Sequence, residues 1–490
     1  MLQYSFLFGI GIVFVAITAV GLYAAGKVKS AEDFALGGRR ATAGLVAGSL
    51  MGTMVGGAST LGTSQVAFCY GLSAWWWCLG AGMGFMVLAS GLGRRLYESG
   101  ATTVPELLSR SYGSRIRPIV AVFTSLGILF SFIGNSLAFV ALCGSTLHTG
   151  ALASAVLGMV LMLVYVIFGG VWGTGMGGVL KVVLVYLSLA CCAFVAWHKL
   201  GGVGGMAATF PAHPWFSLFG RGYAVDGAAG FSMLLGVLST QTYFQAVVSA
   251  RSFKQARRGA WISALATPLI GLAAVLVGLC MKALYPATVS SQAMPAFALH
   301  FLPPMLSGVV LATLLITIVG CSAGLALGIS TMFSVDIYQQ HLRPSAGSRE
   351  ILRVQRAALL ITGLVPLWFA IGNANATILD WSFLSMSLRG CTVLFPLLGI
   401  LYWPQFVTRT AGIVSACLGP LTAFCWHIVQ PKGIDPLYPG LAVSLIAMMA
   451  VSLYTRWTSN APTIHAAADA VASVEAANLV EAAEDEGGEL

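Results

Sequence analysis

The chain is short of charge. Only 8% of its 490 residues are Asp, Glu, Lys or Arg, where a soluble protein of this size carries roughly 25%. Acidic residues are the scarcer sign, 16 against 25 Lys plus Arg. The seven histidines lie mainly between apolar runs or at their ends. The ten cysteines lie in or beside apolar runs, with no Cys-x-x-Cys pair. These absences exclude a zinc centre and a disulfide framework. No nucleophile–base pair or carboxylate cluster falls at depth, which argues against a membrane-embedded enzyme. No stretch between the runs is long enough to bury a core, so a fused soluble signalling domain is not expected.

Hydrophobic residues make up 58% of the chain, in long continuous runs. Lipid must solvate such a surface, and lipid forces every backbone amide into a helix or a closed barrel. The runs do not alternate, so helices are expected rather than barrel strands. Windows of membrane-spanning length fall near 4–25, 43–70, 72–93, 118–145, 149–169, 177–198, 226–249, 259–282, 305–333, 354–372, 377–400, 410–428 and 437–455. Residues 4–25 are read as a first spanning helix rather than a leader, because no positive charge precedes them. The basic residues then orient the thirteen spans: nineteen, from Lys27 to Arg456, fall in loops on one side, and only Lys199, Arg221, Lys282 and Lys432 on the other. Positive loops stay in the cytoplasm, so the N-terminus is expected outside and the C-terminus inside a multi-pass protein of the cell (inner) membrane. The net charge of +9 is therefore a topology signal, with the lipid bilayer and no nucleic acid as partner. Residues 460–490 are Ala-rich and acidic, and read as a disordered cytoplasmic tail.

Two spans interrupt themselves. "GSLMGTMVGGASTLGTSQ" (48–65) places Gly56 and Gly57 near mid-span, beside the hydroxyls of Thr53, Ser59 and Thr60. Small residues in a membrane let helices pack closely or let the backbone unwind beside a buried site. Five spans later, "LLGVLSTQTYFQAVVSA" (234–250) carries Ser239, Thr240, Gln241, Thr242 and Gln245. Two interrupted helices at that separation are the pattern of an inverted-repeat transporter with its solute bound at mid-membrane.

Two cations also sit inside spans, where a charge is expensive and rarely idle: Lys181 in "MGGVLKVVLVYLSLACC" (176–192) and Arg389 in "LDWSFLSMSLRGCTVLF" (379–395). Lys181 lies a few residues into its span, so it either snorkels to the interface or serves a buried site. Arg389 lies deeper, and the nearest acids, Asp226 and Asp380, fall near the outer ends of their spans. An unpaired buried arginine is costly. Either an anionic solute or backbone carbonyls of an unwound helix would compensate it, and the guanidinium fork suits a carboxylate. The solute expected is a small organic anion, a carboxylate or an amino acid; a sugar would want more Asn, Gln and Glu.

Six stretches resemble the sodium/solute symporter family: "AEDFALGGR" (31–39), "LGTSQVAFCYGLSAWW" (61–76), "TTVPELLSRSYGSRIRP" (102–118), "YVIFGGVWG" (165–173), the run from Gln241 to Gly259, and "STMFSVDIY" (330–338). The resemblance implies an all-α polytopic membrane protein with a LeuT-type core of two inverted five-helix repeats, one leading helix and two trailing helices. It divides the chain into a leading helix and loop (1–42), a first repeat (43–198), an external loop (199–225), a second repeat (226–400), trailing helices (401–459) and the tail (460–490).

It also implies a cation site between core helix 1 (43–70) and core helix 8 (305–333), with ligands at Gly52, Val55, Thr317, Gly320 and Cys321. Here the sequence departs from the family. Two hydroxyl side chains are usual at the last two positions, and Ser322 comes one residue late, about 100° around the helix. A thiol is a poor ligand for a hard ion such as sodium. On core helix 5 (177–198), Gly178 stands where many sodium-coupled relatives have an aspartate. Lys181 follows three residues later on the same face. In some LeuT-fold transporters that work without sodium, a lysine on core helix 5 reaches the sodium position, and Lys181 resembles that arrangement. Burial disfavours the charged form of an amine, so the coupling ion would be H+, or transport would be uncoupled.

The expected solute pocket combines Met54, Gly56, Gly57, Ser59, Thr60 and Trp75 with Gln241, Thr242, Gln245 and Arg389. Ala246 stands where the family usually has an arginine. The function expected is secondary transport by alternating access, with no cofactor. The alternatives are a conventional Na+-coupled symporter with a weakened sodium site, and a membrane sensor that does not transport.

Overall fold

A computed structural model describes residues 4–25, 39–147, 149–372, 377–429, 434–459 and 463–464, without the side chains of 164–177 and a few other positions. The expected acidic tail apart from Thr463 and Ile464, and Lys27, Lys29 and Lys432, lie outside the described residues, as do the side chains of the 165–173 motif. Among the described residues there are helices and two isolated bridges, and no strand. The main helices are α1 (Tyr4–Ala25), α2 (Ala43–Met54), α3 (Thr63–Tyr70), α4 (Trp76–Leu88), α5 (Gly91–Glu98), α6 (Val104–Tyr112), α7 (Ile116–Leu147), α8 (Ala151–Lys199) and α9 (Gly202–Thr209). They continue with α10 (Tyr223–Ser239), α11 (Gln241–Val248), α12 (Phe253–Leu284), α13 (Ala293–Phe301), α14 (Pro304–Met332), α15 (Ser348–Gly372), α16 (Ile378–Tyr402), α17 (Arg409–Val429) and α18 (Leu437–Ser459). Among the described residues, eight helical stretches are long and apolar enough to cross a membrane, or nine if α10 and α11 form one bent span.

Both self-interrupting runs are broken. The first span window divides into α2, an extended Val55 (φ −80°, ψ 100°), a π-helical turn at Ala58–Gly62, and α3. The glycines make this possible by close approach: a Cβ on Gly56 would come within 2.6 Å of Cys321, and one on Gly57 within 2.3 Å of Ala138. α3 ends at Gly71, whose φ of +70° is left-handed backbone that glycine tolerates. The second window divides at Thr240 (φ −90°, ψ 123°), where α10 and α11 meet at 50°.

One expectation differs. Spans at 149–169 and 177–198 were to be separated by a loop, yet the backbone is helical from Ala151 to Lys199. Residues 164–177 contain no proline and no charge to stop a helix. A straight helix of this length would measure about 74 Å. Its Gly158 and Met162 nevertheless line a small cavity with Ile318 and Ser322 of α14, while Lys181 reaches Thr317 of the same turn. One straight helix could not bring residues 158–162 and Lys181 to the same turn, so the stretches on either side of 164–177 pass side by side, as two spans would.

α8 packs against α2 and α14, α7 against α16, and α4 against α10 and α12, so the two broken helices lie inside the bundle. The arginine-rich end is tied by a buried pair: Arg117 Nε donates to Asp336 Oδ1 at 2.6 Å, and Thr103 Oγ1 donates to the same oxygen at 2.8 Å. Thr103 also caps α6 by accepting from the Glu106 amide at 3.1 Å.

The approach of α8 to α2 is set by Gly178, where an added Cβ would come within 2.1 Å of the Gly48 carbonyl oxygen. Gly178→Ala should therefore lower the thermal unfolding temperature in detergent, by the roughly 1–3 kcal/mol of an overpacked core site. Gly44→Ala, where an added Cβ meets nothing within 4 Å, should not. Equal unfolding temperatures for the two variants would contradict this packing.

Candidate solute and cation site

The break between α2 and α3 leaves the Gly52 and Val55 carbonyls without helical partners, and Lys181 takes them together with the Thr317 carbonyl of α14. Its Nζ donates to the carbonyls of Gly52, of Val55 at 2.9 Å and of Thr317 at 3.3 Å. An ammonium has three N–H donors, so three carbonyls satisfy it completely. The residue is 1% exposed, and the snorkelling alternative is not what the side chain does. Gly320 faces the lysine tail, with room for a Cβ only 3.4 Å from Cδ and Nζ. Cys321 turns elsewhere: its thiol donates to the Thr53 carbonyl and accepts from Asn135 Nδ2 at 3.3 Å. Gly178 cannot carry an aspartate without displacing α2, since its Cβ position is occupied by the Gly48 carbonyl.

These donors suit sodium poorly. Three carbonyl oxygens that would face the ion are engaged by an ammonium, Gly320 has no side chain to offer, and Cys321 offers sulfur directed at Thr53 and Asn135. A hard cation prefers oxygen.

The rest of the broken segment is tied internally. The Gly56 amide donates to Ser59 Oγ at 2.9 Å, and Thr60 Oγ1 donates back to the Gly56 carbonyl at 2.9 Å. The Gly57 amide donates to Asn135 Oδ1 at 2.9 Å. Ser59 and Thr60 therefore cap the turn they belong to.

Arg389 is fully buried. Its Nη1 donates to Thr240 Oγ1 at 2.7 Å, its Nη2 to Ser131 Oγ at 3.0 Å and Ser385 Oγ at 2.6 Å, and its Nε to the Ser385 carbonyl at 3.1 Å. No carboxylate is among these partners. The guanidinium meets the second helix break through Thr240, much as Lys181 meets the first. It fits against α7 because a Cβ on Gly127 would lie 2.7 Å from the Arg389 Cγ.

Between the breaks lies a small cavity of about 10 Å³, room for roughly one water. Met54, Gly56, Trp77, Asn135, Tyr243 and Met386 are among its walls. Met54 and Gly56 were expected there. Arg389 stands one side chain behind, bonded to Ser131, which does line it. Trp75 does not face the cavity, because its indole donates to the Pro268 carbonyl at 2.7 Å. The 3-10 turn at Gly71–Trp75 shifts the helical phase, and Trp77 faces inward instead. Gln241 is also used elsewhere, accepting from the Val104 amide at 2.9 Å and donating to the Thr102 carbonyl at 3.2 Å. Thr242 and Gln245 are buried with no hydrogen-bond partner for the hydroxyl or for either amide atom among the described residues.

Asn135, Trp77, Tyr243 and Ser131 were not among the expected site residues. Asn135 carried a signal, as a lone amide inside the apolar run of α7. Trp77 carried none, because three consecutive tryptophans cannot be ranked without the local helix type.

Comparisons with known proteins identify the family and the fold. The family model described as the sodium:solute symporter family matches residues 34–419. The high-affinity proline transporter PutP of Bacillus subtilis is 26% identical over 91% of this chain and 97% of its own length. The osmoregulated proline transporter OpuE of the same organism is 23% identical over 91% of this chain and 94% of its own. The sodium/glucose cotransporter of Vibrio parahaemolyticus is 24% identical over 91% of this chain and 90% of its own. The solved structure of a Na+-coupled sialic acid symporter in a substrate-bound outward-open state superimposes with a TM-score of 0.78, at 16% identity, over 94% of this chain and 99% of that one. These relatives are transporters rather than enzymes, and the family model covers most of this multi-pass membrane protein, so the chain belongs to the sodium:solute symporter family.

Proposed function

We propose that this symporter-family protein carries a small organic solute by alternating access, with the Lys181 ammonium standing where relatives hold sodium, so that transport is H+-coupled or independent of sodium. The observation that carries the reading is the match of three N–H donors to the carbonyls of Gly52, Val55 and Thr317. The clasp joins α2 to α14 through α8, across the contact that must loosen if one half of the bundle is to rock on the other. Losing a proton would leave two N–H groups for three carbonyls and turn a lone pair toward the third. Proton exchange at Nζ would therefore weaken the clasp and couple a proton to the conformational change. Thirteen crossings with the N-terminus outside and the C-terminus inside complete the reading, on the strength of the positive loops. A conventional sodium symporter is the second reading, favoured by the family itself.

The solute is a carboxylate or amino acid. Two full positive charges, Lys181 and Arg389, lie buried near the cavity, and no carboxylate lines it. In a medium of low dielectric their summed field favours an anion. Gln245 and Thr242 are buried polar groups whose unpaired state costs roughly 1–3 kcal/mol each. A bound solute would relieve that cost, so opening toward these residues belongs to the binding step.

Counterflow uptake in proteoliposomes, after a thermal-shift screen of small carboxylates and amino acids, tests the reading. Uptake should be equal with sodium, potassium or choline outside, and Lys181→Ala should abolish uptake driven by a proton gradient in a protein that still folds, at a lower unfolding temperature. A steep sodium dependence, or full gradient-driven uptake by Lys181→Ala, would remove the lysine model. Arg389→Gln should raise the half-saturating solute concentration about tenfold or more, the equivalent of roughly 1.4 kcal/mol. An unchanged profile would take Arg389 out of solute binding.

A further inference from the structure

A second cavity, of about 300 Å³, opens at the end of the bundle away from the arginine-rich loops. That is the size at which small-molecule sites begin. Its position follows from α16, whose first turn holds Asp380 and whose last turn meets Arg95 through the Leu401 carbonyl. The wall from α16 is one helical stripe, Asp380, Phe383, Leu384 and Ser387. The other face of the same helix presents Ser382 and Met386 to the inner cavity. Phe383 is the partition: its ring packs edge-on against Trp77, a wall of the inner cavity, with centroids 5.2 Å apart.

The charges in this outer cavity do not cancel. Arg221 is consumed by Asp226, with Nε donating to Oδ1 at 2.7 Å and the Arg221 amide to Oδ2 at 2.8 Å. Asp380 and Asp435 remain, and neither has an ion-pair partner among the described residues. Trp426 adds an aromatic wall, fixed by its indole donating to the Ile434 carbonyl at 3.2 Å. Carboxylates beside an aromatic face recognise a cation. Asp380, Asp435 and His427 do not group closely enough to hold a metal ion. Independently, Ser387 is 2% exposed and lines the cavity with a hydroxyl that has no hydrogen-bond partner among the described residues.

We propose that this cavity is an outer binding site for the ammonium group of a small solute, separated from the inner site by Phe383. Asp380 and Asp435 supply the counter-charge, Trp426 the aromatic face, and Ser387 a hydroxyl at the floor. The site goes beyond the transport reading above and does not depend on what Lys181 does. An amino acid would be held first here by its amine and then, once past Phe383, inside by its carboxylate.

The test is a titration of the full chain in lipid nanodiscs with propylammonium chloride, sodium propionate and potassium chloride. The readout is the tryptophan fluorescence that wild type shows and Trp426→Phe lacks. Propylammonium should give a saturable, Trp426-dependent change, weakened at least tenfold in Asp435→Asn and abolished in the Asp380→Asn/Asp435→Asn pair. Propionate and potassium should give none. Asp435 lies in a loop ahead of α18, so the single variant keeps the test open if the pair does not fold. Lys181→Met should retain the signal, which separates failure of this site from failure of the lysine model. Absence of a saturable propylammonium signal, an undiminished one in Asp435→Asn, or an equal response to propionate or potassium would overturn the proposal.

Discussion

A helix unwound inside a membrane exposes carbonyls that lipid cannot satisfy, and the structure turns on how they are paired. Each unpaired backbone group at that depth costs several kcal/mol. A buried ammonium is costly for the converse reason. Placed together, the two liabilities cancel: the Lys181 amine finds the carbonyls of Gly52, Val55 and Thr317, and the break finds a charge. Gly178 and Gly56 are the steric conditions for this contact, since a Cβ on either would collide with its neighbours.

The second half of the bundle repeats the arrangement with different chemistry. The break at Thr240 is met by Arg389 through hydroxyls rather than main-chain carbonyls. Each broken helix then has its own fixed charge. The cavity between them is small, at about 10 Å³, with unpartnered polar atoms on Thr242 and Gln245 nearby. A space of that size must widen to admit a solute.

Much of this was legible in the sequence. The glycine pair at 56–57 and the polar run at 239–245 marked both breaks, because few other residues tolerate unwinding at depth. Lys181 and Arg389 stood out because charge inside an apolar run is rare. What the sequence could not convey was rotation. Trp75 and Trp77 differ by the phase that a 3-10 turn introduces; Gln241 and Gln245 share a face and differ instead in their place along the helix, one turn apart. In each pair only one member is free of a structural bond. The helical backbone across 164–177 was also hidden, since glycine-rich apolar sequence fits a loop and a helix equally well.

The central claim is that a protein amine occupies the position of an ion. An experimental structure of the protein in lipid, determined in sodium chloride, tests it most directly. The account predicts density for Lys181 Nζ within hydrogen-bond distance of the carbonyls of Gly52, Val55 and Thr317. A sodium ion coordinated by those oxygens, with the lysine side chain turned toward the aqueous interface, would contradict it.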